Sequence, residues 1–115
     1  MEWIEVTGGR PLAGRIRPAA AKNSVLPLLA ATLLCAQPCT LRGVPPLADV
    51  RASLALLEAV GAAVRFAGGC VYTAPRPVSG RVPPGPAAAM RGSVFYLAPL
   101  LVRAGRVELP LPGGC

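Results

Sequence analysis

The sequence predicts an α/β fold assembled from a repeated unit of strand, helix, strand, helix and hairpin. Strand-like alternation and helix-like periodicity take turns along its 115 residues, with Gly and Pro at the joints. A displacement of 69 residues lays Lys22-Asn23-Ser24-Val25 over Arg91-Gly92-Ser93-Val94, and Leu28 over Leu97, so the element order repeats. The 13 glycines and 14 prolines approach the composition of a disordered chain, but 53% hydrophobic residues supply a core.

Each element has a local reason. Trp3-Ile4-Glu5-Val6 alternates like a strand and Gly8-Gly9 ends it, and Gly14 to Arg17 reads as a second short strand. Asn23 or Ser24 is placed to cap a helix reaching about Cys35, with Pro27 in its first turn or just beyond. Pro38 to Val44 reads as a strand. Asp49 is expected to cap a second helix whose Val50, Leu54 and Leu57 share a face, with Gly61 as its stop. Ala63 to Phe66 and Cys70 to Ala74 form a hairpin around Gly68-Gly69. A Pro-rich connector, Pro75 to Pro86, leads to a third helix from about Gly92 to Arg103 and a strand from Arg106 to Leu109.

Composition excludes several functions. The chain has no histidine, which removes His-based triads, His proton shuttles and the commonest metal ligand. The net charge of +7 raises nucleic acid as a partner, but the arginines are scattered and only five aromatics are present. No nucleic-acid partner is expected. The apolar run Ser24 to Ala36 is too short to cross a bilayer, and what precedes it is no signal peptide, so no membrane insertion and a cytoplasmic location are expected. Cysteines 35, 39, 70 and 115 contain no CxxC pair, so a zinc site is not expected. The first three lie in apolar patterns, where free Cys behaves as a small core hydrophobe.

Two cations stand out by position. Lys22 is the sole lysine among 12 basic residues, and the repeat matches it to Arg91, each just ahead of a helix. A helix N-terminus carries partial positive charge, so a cation there is mildly unfavourable unless an anion sits between them. A bound phosphate or carboxylate is one reading; a solvated side chain snorkelling away is the other. Cys115 follows Pro112-Gly113-Gly114, a loop that leaves a ligand room to approach, and a nearby cation would lower its pKa. An inert exposed thiol is the alternative there.

Ala21-Lys22-Asn23 before an apolar helix, Leu57 with Gly61-Ala62-Ala63-Val64, Met90-Arg91-Gly92-Ser93 and Leu111-Pro112-Gly113-Gly114-Cys115 occur in order. Together they resemble the N-terminal portion of the UDP-N-acetylglucosamine 1-carboxyvinyltransferase family, bacterial enolpyruvyl transferases of peptidoglycan precursor synthesis. The resemblance spans the whole chain, which corresponds to only the first part of that family's usual length. It implies an inside-out α/β barrel in which three such units build each of two domains. Residues 1–21 would belong to the second domain. Residues 22–115 would be an incomplete first domain, with unit one at 22–75, a connector at 76–86 and the start of unit two at 87–115.

The implied reaction moves the enolpyruvyl group of phosphoenolpyruvate to the 3′-hydroxyl of UDP-N-acetylglucosamine and releases phosphate, with no cofactor or metal. The resemblance assigns phosphoenolpyruvate binding and charge stabilisation to Lys22, ligand binding to Asn23 and nucleotide-sugar contact to Arg91. To Cys115 it assigns protonation of the phosphoenolpyruvate methylene and reaction with the epoxide fosfomycin. The remainder of the chain is expected to complete the site, and the fragment alone to be inactive. The alternatives are a non-catalytic paralogue or truncated product that binds a nucleotide sugar, and the related shikimate-pathway enolpyruvyl transferase. Pro18-Ala19-Ala20 and Gly92 depart from the family's usual residues.

Overall fold

A computed structural model describes residues 2–111, so Cys115 and its Pro-Gly-Gly loop lie outside the described residues. Helices cover one face of a three-stranded antiparallel sheet. In chain order the elements are α1 (Lys22–Ala31), β1 (Cys39–Leu41), α2 (Ala48–Ala59), β2 (Ala63–Ala67), β3 (Cys70–Ala74), α3 (Pro84–Ala88) and α4 (Leu97–Ala104). A short 3-10 turn, Thr32–Leu34, follows α1, and a longer one, Arg91–Tyr96, runs straight into α4.

Neither α1 nor α2 has the expected side-chain cap. α1 begins earlier than predicted, after an extended Ala21 whose carbonyl accepts the N–H groups of Ser24 and Val25, each at 3.1 Å. Ser24 lies inside the first turn, where its hydroxyl donates back to the same carbonyl at 3.1 Å. α2 begins at Ala48 after an extended Leu47, whose N–H donates to the Pro45 carbonyl at 2.8 Å and whose own carbonyl accepts the Arg51 N–H at 3.0 Å. Asp49 sits in the first turn instead of capping it.

The expected face of α2 is buried. Val50, Leu54 and Leu57 join Ser53 and Leu56 in the core, against Val25, Leu26, Leu29 and Ala30 of α1. The exit of α2 matches its expectation too. Gly61, at φ +108, donates to Glu58 at 3.0 Å while Ala62 donates to Leu57 at 3.0 Å, the paired bonds of a Schellman stop.

The hairpin forms as predicted, turning through Gly68 (φ +58) and Gly69 (φ +71), the primed turn that matches strand twist. β3 is the central strand: it pairs with β2 over its full length and with β1 through Cys39–Thr73, Thr40–Tyr72 and Leu41–Val71. Val71 and Thr73 therefore face the helices, and Arg65 and Tyr72 face outward, where the guanidinium lies 4.4 Å from the ring centroid.

Four expected elements differ. Trp3 to Val6 and Gly14 to Arg17 form no strands, and Trp3, Ile4, Val6, Leu12 and Ile16 are 74–98% exposed. A strand needs a paired neighbour, and neither edge of this sheet takes them. Arg106 to Leu109 makes only one parallel bridge, Glu108 to Arg81, because the segment beside it is the short Gly80–Val82 stretch. The third helix opens as a 3-10 turn. Pro99 has no N–H to offer the Phe95 carbonyl, so the α pattern starts late enough to leave Pro99 in the first turn of α4.

Tyr96, fully buried, ties that turn to α2. Its hydroxyl hydrogen-bonds the Ser53 hydroxyl and also donates to the Ser53 carbonyl at 3.4 Å. Burial pushes the phenol far above its ordinary value of 10.0, and the Ser53 bond offsets this only partly. The folded chain therefore holds a proton that the unfolded chain releases near pH 10, so stability falls as pH rises past about 10. An alkaline absorbance titration should show one of the two tyrosines ionising only as the chain unfolds, and Tyr96→Phe should remove that component.

Gly80 is fixed by close approach: a Cβ there would sit 1.6 Å from the Arg106 carbonyl oxygen. Gly80→Ala should cost more than ~2 kcal/mol in urea unfolding. Gly85→Ala, with nothing within 4 Å of the added carbon, should stay within ~0.5 kcal/mol of the parent.

Candidate active site

The helix-start cations are where the repeat placed them. Lys22 is the first residue of α1 and Arg91 the first of the Arg91–Tyr96 turn, each following an extended residue, Ala21 (ψ 134) and Met90 (ψ 150). The two turns are packed together: a Cβ on Gly92 would lie 3.2 Å from Leu26, one turn into α1. Lys22, Asn23 and Arg91 are all exposed on the surface.

Asp49 is the partner that sequence reading missed. Its carboxylate lies 2.9 Å from the Lys22 ammonium, both groups half-buried. The first turns of α1 and α2 thus meet, and each explains the other's charge. Asp49 is favoured by the positive end of α2, and it offsets the cost of a cation at the positive end of α1. The signal was available in principle: Asp49 is one of only five acidic residues and stands in a helix's first turn. Spacing alone could not say which cation it would meet.

The N–H groups of Lys22 and Asn23, at the start of α1, have no intrahelical acceptor. Beside them stands an ammonium already countered by one carboxylate. An anion arriving here meets donors and a cation at once, and competes with Asp49 for Lys22. The matched serines differ in surroundings. Ser24 bonds its own turn, whereas Ser93 is fully buried and its hydroxyl has no hydrogen-bond partner.

Other charged surface lies apart from these residues. Arg81 and Arg106 flank Glu108 at 3.2 and 2.7 Å, lining an open cleft of about 270 Å³ with Ser79, Gly80 and Ala104. Cys35, Cys39 and Cys70 are only half-buried, so the expectation that they act as small core residues does not hold. Their strand-end and turn positions keep one side of each thiol near the surface.

The fold of this chain is that of an enolpyruvyl transferase. The crystal structure of the enolpyruvyl transferase NikO from Streptomyces tendae has the same fold, with a TM-score of 0.72 at 22% identity, over 85% of this chain and 23% of that one. The family profile of EPSP synthase (3-phosphoshikimate 1-carboxyvinyltransferase) matches residues 6–115, and the chain belongs to that family.

Among its relatives are proteins named UDP-N-acetylglucosamine 1-carboxyvinyltransferase. The one from Sorangium cellulosum is 44% identical over all of this chain and 28% of its own length. That from Gloeobacter violaceus is 42% identical over 98% of this chain and 25% of its own. That from Methylacidiphilum infernorum is 41% identical over the whole chain and 27% of its own. The chain therefore spans about a quarter of the length of these relatives.

A half-exposed ion pair contributes little to stability, about 0–1 kcal/mol. Asp49→Asn should accordingly unfold in urea within ~1 kcal/mol of the parent, with the gap shrinking in high salt. A salt-insensitive loss above ~2 kcal/mol would show the pair to be a structural pin.

Proposed function

We propose that this chain is the N-terminal part of a UDP-N-acetylglucosamine 1-carboxyvinyltransferase, transferring the enolpyruvyl group of phosphoenolpyruvate to the sugar 3′-hydroxyl and releasing phosphate. The observation that carries the reading is the pairing of Lys22 and Arg91 at matched starts of two packed helical turns. Whole-chain similarity to proteins of that name supports it. The step belongs to peptidoglycan precursor synthesis and to the cytoplasm. No described helix is long and apolar enough to cross a membrane.

The reaction is an addition followed by an elimination. The sugar 3′-hydroxyl adds to the carbon bearing the phosphate while the methylene carbon takes a proton, and phosphate then leaves from the tetrahedral intermediate. Lys22 holds the anionic end of phosphoenolpyruvate and stabilises charge as addition proceeds, helped by the free N–H groups of its own helix start. Asn23 hydrogen-bonds ligand beside it, and Arg91 meets the diphosphate of the nucleotide sugar. Asp49 holds the Lys22 ammonium in place until the anion arrives. Cys115, outside the described residues, supplies the methylene proton. Residues 1–21 join the second domain of the complete protein, and the remaining chain completes the site.

The test places these residues in front of the remaining sequence of the Gloeobacter violaceus relative. Phosphate release should require both phosphoenolpyruvate and UDP-N-acetylglucosamine, and Lys22→Ala should lower it by ~100-fold or more. Cys115→Ala should abolish fosfomycin alkylation in the intact mass. A folded protein that binds UDP-N-acetylglucosamine without releasing phosphate would make it a non-catalytic binder. Release with 3-phosphoshikimate instead would assign it to the shikimate-type enzymes for which the family profile is named.

A further inference from the structure

The Lys22 ammonium lies 2.9 Å from the Asp49 carboxylate, with 49% of the lysine side chain and 32% of the aspartate side chain exposed. Small ions in solution therefore reach both groups. Two helices fix the meeting point, because Lys22 is the first residue of α1 and Asp49 stands in the first turn of α2. Those helices are packed through Val25, Leu26 and Leu29 on one side and Val50, Leu54 and Leu57 on the other. The carboxylate accordingly stays close to the ammonium even when the ion pair opens. The other acids are engaged or placed elsewhere: Glu108 pairs with Arg81 and Arg106, Glu58 lies in the last turn of α2, and Glu2 and Glu5 stand in the exposed segment before α1.

An anion that binds Lys22 must displace this carboxylate and then sits beside it. Displacing an exposed ion pair lowers anion affinity by up to ~5-fold. The displaced carboxylate adds repulsion, which is twice as strong for a doubly charged phosphate as for a singly charged ligand. Both effects act on the substrate that arrives and on the phosphate that is left behind. A site that gripped both tightly would hold its product without speeding the chemistry.

We propose that Asp49 is a built-in competitor for Lys22, which loosens the hold on phosphate and retakes the ammonium as phosphate departs. Its place in a reaction rests on the enolpyruvyl-transfer reading, and its effect on anion affinity rests on the ion pair alone. Asp49 acts through Lys22 and touches none of the reacting atoms, so it is a positioning residue. The anionic end of phosphoenolpyruvate takes the ammonium from it during addition. Once elimination frees the phosphate, only its own contacts hold it, and the tethered carboxylate re-forms the pair at high effective concentration.

Lys22 is the sole lysine, so isotope-labelled lysine gives a single side-chain signal by NMR. The 115-residue chain is titrated with inorganic phosphate at constant ionic strength, as parent, Asp49→Asn and Asp49→Glu. Asp49→Asn should bind phosphate at Lys22 ~3–10-fold more tightly, and Asp49→Glu, which keeps the charge, should stay within ~2-fold of the parent. Joined to the remaining sequence of the Gloeobacter violaceus relative, Asp49→Asn should lower both KM for phosphoenolpyruvate and the inhibition constant of phosphate by a similar factor. It should not raise kcat.

Phosphate affinity that is equal or weaker in Asp49→Asn would overturn the proposal, because Asp49 would then be aiming the lysine at the anion instead of competing with it. So would a Lys22 signal that ignores phosphate in all three chains. A joined protein that releases no phosphate would instead sink the transferase reading, and the titration of the 115-residue chain then decides the role of Asp49 by itself.

Discussion

Tyr96 brings a phenol into a place water does not reach, and Ser53 is the residue that makes this tolerable. An unmatched buried hydroxyl costs about 1–3 kcal/mol, so each member of the pair requires the other. Ser53 lies on the buried face of α2, the helix that also packs on α1 and on the sheet. Tyr96 closes the turn that begins with Arg91. The pair therefore sets how the Arg91–Tyr96 turn sits on α2, and through it where Arg91 stands relative to Lys22.

The surface chemistry follows from that buried contact. Gly92 has no side chain to hold Leu26 away, so the Arg91 turn lies directly on α1. α2 in turn brings Asp49 to Lys22. One helix thus supplies the counter-ion to the first cation and the anchor for the element bearing the second. The proposed site for an anionic substrate is formed by helix starts, whose exposed N–H groups and charged side chains face solvent while their apolar faces hold them in place.

What could be read in the sequence was mostly local. The Gly68-Gly69 hairpin and the Gly61 stop are dictated by φ values that only glycine takes easily, and these matched. The apolar face of α2 is a periodicity, and it matched. The matched helix starts of Lys22 and Arg91 were legible through the repeat. What failed depends on partners. Trp3 to Val6 alternates correctly but has no strand to pair with, and Asp49 was read as a cap when its carboxylate belongs to a residue 27 positions away. The Ser53–Tyr96 bond carries no sequence signature, since a serine on a helical face and a tyrosine near a turn are individually ordinary.

The dependence of the architecture on Ser53 and Tyr96 is tested most directly by a double-mutant cycle. Ser53→Ala, Tyr96→Phe and the double variant would be compared with the parent by urea unfolding at neutral pH. If the hydroxyls satisfy each other, the two single changes cost more in sum than the double change does, with a coupling of about 1–3 kcal/mol. Costs that add to within ~0.5 kcal/mol would contradict the account, because the Arg91–Tyr96 turn would then be held on α2 by apolar packing alone.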